Sequence, residues 1–199
     1  MKKNKSSKNW IIKQHRDQYF KQAKSSGFRS RSAYKLLELD KKFNIFSNCK
    51  IVIDLGCYPG GWSQILKKNL KSCKILSVDI KEMEKIDGVD FLCCDFQKKE
   101  SKEKILKKLN SKADLLVSDM AADTTGNKDL DCIRTNAICA EVIEFSSSVI
   151  KDSGVVISKL FNGQDFLHVK NLAKSKFHKV NFFKPESSRG YSKETYIHC

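Results

Sequence analysis

Apolar residues along this chain alternate between two rhythms. Short runs rich in Val, Ile, Leu and Phe predict strands at 50–54, 74–79, 90–95, 114–119, 154–160, 179–183 and 195–198. Apolar residues at helical spacing predict helices near 62–70, 100–110, 131–151 and 164–176, the first carried by Trp62, Ile65, Leu66 and Leu70. Strands alternating with helices are βαβ units, which build a mostly parallel sheet wrapped by helices. The last two strands are joined only by 184–194, too short for a parallel crossover, so they form a terminal antiparallel hairpin. Ahead of the first strand, 10–24 is a basic helix with Trp10, Ile11, Phe20 and Ala23 as its apolar contribution, ended by Gly27. Ser30 or Ser32 then caps a second helix bearing Ala33, Leu36, Leu37 and Phe43. Residues 1–8, with almost nothing to bury, are expected to be disordered. The expectation is an α/β fold in one domain, 9–199: a basic N-terminal helical arm at 9–48 on a seven-stranded Rossmann-like core at 49–199.

The first strand breaks into Asp54-Leu55-Gly56-Cys57-Tyr58-Pro59-Gly60-Gly61-Trp62. A glycine-rich strand–turn–helix at the carboxyl end of a parallel strand is where such sheets bind ligands, because the backbone can turn tightly and be approached without a Cβ. The spacing is wrong for the G-x-G-x-x-G of dinucleotide sites, and the last glycine lacks the Lys-Ser or Lys-Thr pair of a P-loop. An acid at the strand end repels a pyrophosphate and suits an ammonium. S-adenosylmethionine carries an ammonium and a carboxylate but no phosphate, and so fits better than a dinucleotide. Asp54, Gly56, Pro59, Gly60, Gly61 and Trp62 are therefore candidate cofactor contacts. The bland alternative is a structural βα turn without a ligand.

Four successive strands end in an acid: Asp54, Asp79, Asp95 and Asp119. In a parallel sheet these ends line one edge, and four like charges around one crevice repel unless a cationic ligand binds. Asp79 lies about where a carboxylate holds ribose hydroxyls. Asp95 and the following Phe96 are placed for an exocyclic amine and an apolar face of adenine. Any one of these acids alone reads as a solvated turn residue or a helix cap.

The net charge of +15 changes the view of partners. Residues 1–50 hold fourteen Lys or Arg against Asp17, Glu38 and Asp40, whereas the rest is nearly balanced. A concentrated excess is how a footprint for nucleic acid looks. The 33 Lys against 5 Arg suggest A·T-rich coding bias, which explains the kind of cation but not its concentration. Eight cysteines include no C-x-x-C and mostly occupy apolar segments, so a reduced protein without structural metal is expected. No apolar stretch is long enough to span a membrane. The amino terminus leads into no apolar h-region, so no secretory signal is expected. It lacks acids, as organellar presequences do, but has no Arg before Arg16, and a cytoplasmic monomer is expected.

The residues are similar to those of the FtsJ-like ribose 2'-O-methyltransferases. The resemblance runs from about Trp10 to the C-terminus through R-S-R-S-A-Y-K-L (29–36), D-L-G-C-Y-P-G-G-W-S-Q (54–64), G-V-D-F (88–91), S-D-M-A (118–121), K-L-F (159–161), K-P-E-S-S-R (184–189) and S-K-E-T-Y (192–196). It implies a class I S-adenosylmethionine-dependent methyltransferase acting on RNA, with a uridine of large-subunit rRNA in the assembled subunit as the expected target. The family's catalytic Lys-Asp-Lys-Glu set falls on Lys35, Asp119, Lys159 and Glu194. Its cofactor contacts fall on Gly60, Trp62, Asp79, Asp95 and Asp119. Two departures are Ala122, where the family has proline after S-D-M-A, and Cys57-Tyr58, where it has small residues.

Local chemistry agrees with that set. Lys159 closes the apolar run Val155-Val156-Ile157-Ser158, where a lysine is unexpected. Lys35 falls near the start of its helix, where a cation opposes the macrodipole by roughly 0.3–1 kcal/mol. Lys159 is either the base that takes the hydroxyl proton or a cation that orients the hydroxyl and stabilises the developing alkoxide. Three rivals remain: an amino-group methyltransferase, which normally has an N-P-P-Y-like motif where S-D-M-A stands; an RNA-binding protein that lost catalysis; and a nicotinamide oxidoreductase, which lacks the glycine spacing. Within the favoured class, tRNA is the alternative substrate.

Overall fold

The computed structural model describes residues 17–199. Its strands are β1 (Ile51–Leu55), β2 (Lys74–Asp79), β3 (Asp90–Cys93), β4 (Ala113–Ser118), β5 (Ile150–Phe161), β6 (Asn181–Phe183) and β7 (Glu194–His198). Its helices are α1 (Gln18–Ser25), α2 (Ala33–Phe43), α3 (Gly61–Asn69), α4 (Lys99–Leu109), α5 (Lys128–Val149) and α6 (Phe166–Lys176). The strands form one sheet in the order β3-β2-β1-β4-β5-β7-β6. Pairing is parallel from β3 through to β5, and β7 runs antiparallel between β5 and β6.

Consecutive strand residues point to opposite faces, so adjacent apolar pairs build two cores. Val52, Ile75, Leu115, Ile157 and Tyr196 face Leu36 and Leu39 of α2 and Ile65 and Leu66 of α3. Ile53, Leu76, Leu116, Val156 and Ile197 face Ile105 of α4, Cys139 and Val142 of α5 and Val169 of α6. This double coverage is why the strands read as continuous apolar runs rather than as alternation. Leu36 and Leu39 are fully buried, each worth about 1.5–3 kcal/mol, which fixes α2 on the sheet and Lys35 with it.

Several boundaries differ from the sequence expectation. β5 begins at Ile150, not Gly154, because the polar stretch Lys151-Asp152-Ser153 bulges between the pairs Ala113–Ile150 and Leu115–Val155. A Cβ at Gly154 would overlap Ile150, so glycine closes that bulge. Neither serine caps α2 with its side chain: Ser32 occupies the cap position in a helical conformation, and its hydroxyl meets that of Ser30 at 2.6 Å. The Ser32 carbonyl instead accepts the Trp62 indole N–H at 2.7 Å. α1 starts after Asp17, whose carboxylate accepts the Phe20 N–H, and Gly27 follows its end at φ +70°. The expected disordered tail at 1–8 and helical residues 10–16 lie outside the described residues.

All eight cysteines are free, and Cys57, Cys73, Cys132, Cys139 and Cys199 are buried. Burial pushes the Cys139 and Cys199 thiols up to about 12, so both stay protonated as small core residues. Among the described residues no helix is long and apolar enough to cross a membrane.

Candidate functional site

The carboxyl ends of β1, β2 and β4 open onto a crevice of about 280 Å³. Gly56 and Asp79 form one side, Asp95 and Phe96 another, and Asp119 and Met120 a third, with Val78 and Ile138 supplying apolar wall. Asp79 holds the β1–α3 turn: its carboxylate accepts the N–H of Tyr58 at 2.8 Å and of Lys81 at 2.9 Å. Each carboxylate oxygen has a second lone pair, so Asp79 keeps acceptor capacity for a hydroxyl. Asp95 accepts the Gln97 N–H at 3.1 Å. Phe96 is buried edge-on to Phe145 and closes the floor.

Beside this crevice a chain of charges crosses the sheet. Lys159 of β5 donates to the Asp119 carbonyl at 2.5 Å and to its Oδ1 at 3.1 Å. Lys35 of α2 donates to Glu194 Oε2 at 2.8 Å and lies 3.9 Å from Asp119 Oδ1. The register explains the gathering: Lys159 pairs with Tyr196 and Phe161 with Glu194, so all four point to the face that α2 covers. Tyr196 donates its hydroxyl to Asp119 Oδ1 at 2.5 Å, and Ser188 donates to Glu194 Oε1 at 2.7 Å. Burial drives the Asp119 carboxyl up, but the Lys159 and Lys35 ammonium groups outweigh it and hold it below the usual carboxylate range. Burial first, then Asp119 and Glu194, raise the Tyr196 hydroxyl well above its ordinary value, so it remains a donor. The set is a buried, paired array with ammonium groups held on carboxylates at the rim of a nucleoside-sized crevice.

A second cleft of about 230 Å³ continues from Lys35 and Glu194 outward past Arg31, Arg189, Tyr191 and Ser192. Asp17 pairs with Arg31 and stands 3.7 Å from Arg189. Glu38 accepts the N–H groups of Glu186 and Ser187 at 2.5 and 3.0 Å, and Arg31 donates to the Ser187 carbonyl. Residues 186–189 of the loop are thereby tied to α2 and to Arg31 and Asp17 ahead of it.

Of the residues the sequence singled out, Gly56, Asp79, Asp95, Phe96 and Asp119 line the crevice, and Lys35, Asp119, Lys159 and Glu194 meet in the charged array. The others lie behind the wall. Asp54 is fully buried, accepts the Ser63 hydroxyl at 2.7 Å on one oxygen, and leaves the other without a partner. Burial pushes its carboxyl up to about 7. Pro59 accepts from Arg29 through its carbonyl, a Cβ at Gly61 would overlap Ser30, and Trp62 is core packed on Tyr196. Gly60 takes φ +108°, with Arg29 and Met83 closest to where a Cβ would stand. Tyr196 and Ser188 received no role from the sequence. The signal for Tyr196 was its two-residue offset from Glu194, which puts both on one face of a strand. Ser188, Arg31 and Arg189 had none beyond lying in the shared segments.

A family model described as FtsJ-like methyltransferase matches residues 28–199. The chain is 48% identical over 199 residues to the Ribosomal RNA large subunit methyltransferase E of Pelagibacter ubique, covering 100% of this chain and 98% of the relative. It is 44% identical over 198 residues to the protein of the same name from Rickettsia akari, covering 96% and 87%. Among solved structures, a ribosomal RNA methyltransferase from Plasmodium falciparum superposes with a TM-score of 0.77 at 31% identity, over 86% of this chain and 97% of the other. Human Methyltransferase-like protein 13, crystallised with SAH, shares the fold at a TM-score of 0.58 and 14% identity, over 78% and 73%.

Proposed function

Because the chain belongs to the FtsJ-like methyltransferase family, we propose that it methylates a ribose 2'-hydroxyl of RNA, using S-adenosylmethionine as donor. The substrate in this reading is a uridine of large-subunit ribosomal RNA in the assembled subunit. The names of the relatives at 48% and 44% identity support large-subunit ribosomal RNA as the class of substrate. The observation that carries the reading is the Lys159–Asp119–Lys35–Glu194 array at the rim of the crevice. The protein works as a cytoplasmic monomer, with 9–48 as the arm that meets RNA on a single domain.

The crevice suits the donor. Asp79 offers acceptors to ribose hydroxyls, Asp95 to an amine, and Phe96 and Ile138 an apolar wall to a base. The unpaired oxygen of buried Asp54 marks a place for a donor group behind the turn. When bound, S-adenosylmethionine supplies a methyl group already activated by its sulfonium, so the protein has to align the acceptor and handle one proton. Lys159 gives two of its N–H directions to Asp119 and keeps the third for the ribose oxygen. There it orients the hydroxyl and stabilises negative charge on the oxygen as its proton passes to solvent water and the oxygen takes up the methyl group. Asp119 holds Lys159 and Lys35 together, Glu194 fixes Lys35, and Tyr196 and Ser188 keep the two carboxylates in place.

Incubation with methyl-labelled S-adenosylmethionine and intact large subunits, free rRNA or tRNA, followed by mapping of the label, tests the reading. Label on a ribose of the subunit's rRNA is expected; label on tRNA alone favours the alternative substrate, and none favours a non-catalytic RNA-binding protein. Lys159→Ala is expected to lower methyl transfer about 10²–10⁴-fold while leaving cofactor affinity unchanged. Equal loss of both would remove Lys159 from the chemistry.

A further inference from the structure

Counted along the chain, positive charge concentrates in residues 1–50. Sorted by the fold, the described residues show a second concentration elsewhere. The segments 41–50, 67–74, 107–114, 150–153 and 174–179 all lead into the amino ends of the parallel-running strands, at the edge of the sheet opposite the crevice. Together they hold fourteen lysines, with Asp114 and Asp152 as their acids. Asp87 and Asp90, which also lie toward this edge, leave a large excess. Eleven of the fourteen are exposed. Asp114 is already engaged by Lys151 at 2.5 Å and by the N–H groups of Lys50 and Ile51. The crevice edge, in contrast, carries Asp79, Asp95, Asp119, Asp123 and Glu194 among its cations.

Helix chemistry accounts for part of this. The last turns of α2, α3, α4 and α6 each hold two lysines, which complement the negative end of the helix dipole. Lys74 belongs with them, since it donates to the Lys108 and Leu109 carbonyls at the end of α4. Helix chemistry does not account for Lys50, Lys71, Lys112, Lys151 and Lys179, which lie beyond the helix ends. Coding bias toward lysine sets their kind but not their segregation to one edge. The five segments enter strands that run from β2 to β6, five spacings of about 4.8 Å, so this rim is roughly 24 Å long and spans several phosphates of a nucleic-acid strand at about 3.4 Å each. A rim of mobile cations without a deep pocket recognises a phosphate backbone rather than a base.

We propose that this edge is a second RNA-binding surface, one that grips the sugar-phosphate backbone of an RNA segment other than the one entering the crevice. The two surfaces lie at opposite ends of strands about 17–20 Å long, so the protein sits between two RNA walls. This rests on RNA being the substrate, and deepens it: the substrate is folded RNA presenting two segments at once, not an isolated hairpin.

The test is a fourfold variant, Lys71→Gln, Lys107→Gln, Lys112→Gln and Lys179→Gln, all exposed and far from the charged array. Binding and methyl transfer are measured on intact large subunits and on a single rRNA hairpin carrying the modified nucleotide, across a salt series. The expected result is at least tenfold weaker binding to subunits and a shallower salt dependence, with hairpin binding and S-adenosylmethionine affinity unchanged. Equal weakening on both RNAs would reduce the effect to net charge and overturn the proposal, as would wild-type affinity for subunits at every salt. Capture of the wild type but not the variant by phosphatidylglycerol vesicles, with subunit binding unaltered, would assign the edge to a lipid surface instead. Failure of the wild type to methylate any RNA counts against the proposed function, whereas wild-type turnover with an unaffected variant counts against the surface alone.

Discussion

Asp119 lines the crevice and Asp54 is buried two residues before Gly56 in its wall, yet the two titrate in opposite directions. Asp54 has no cation beside it, so burial raises its carboxyl to about 7. Below about pH 4 the proton is bound whether the chain is folded or not, and there is no penalty. Between pH 4 and 7 the unfolded carboxyl ionises first and favours unfolding; above 7 the penalty is complete, at about 4 kcal/mol. The stability gap between wild type and Asp54→Asn in urea is therefore expected to move by up to this amount, in favour of the variant, from pH 4 to pH 8. A gap independent of pH would show that Asp54 is not buried alone. Asp119, held low by Lys159 and Lys35, does the reverse: its contribution is present above the ordinary carboxylate range and lost as pH falls through its lowered value. Both aspartates were legible in the sequence as acids at strand ends. Their opposite titration was not, because it depends on two lysines, one of them on α2 and one on β5, that meet only one of them. Lys159 was legible because a lysine breaks an apolar strand, whereas Tyr196 in its apolar strand looked like ordinary core.

At the scale of elements, the density of glycine in the β1–α3 turn announced a close approach without saying what approaches. Gly56 does border the crevice, but Gly60 and Gly61 make room for Arg29 and Ser30, and Trp62 anchors the start of α2 through the Ser32 carbonyl. Gly61→Ala is expected to cost about 1–3 kcal/mol by prising 29–32 off the first turn of α3, read as a lower urea midpoint. The terminal hairpin was legible from loop length, whereas the order β3-β2-β1-β4-β5-β7-β6 was not, because loop lengths do not say which strands pair. The bulge in β5 was not, because three polar residues end an apolar run in the same way whether the strand stops or merely loops out.

For the whole molecule, charge read along the chain and charge read over the surface disagree, since only topology says which turns share an edge. The charged array obeys the same rule, being drawn from α2, β5, β7 and the end of β4. Lys35 and Glu194 are 159 residues apart, and Glu38 holds a loop that follows position 184. Synthesis at about 5–20 residues per second makes Lys35 wait roughly 8–30 s for its carboxylate. β7 also lies inside the sheet, so β5 and β6 stay unjoined until then. A chain stalled on its ribosome before Glu194 is expected to transfer no methyl group until it is completed and released, checked by labelling stalled and released chains side by side. On the proposed substrate, the protein thus begins life against the very RNA it will read, kept inert by the order in which its own residues arrive.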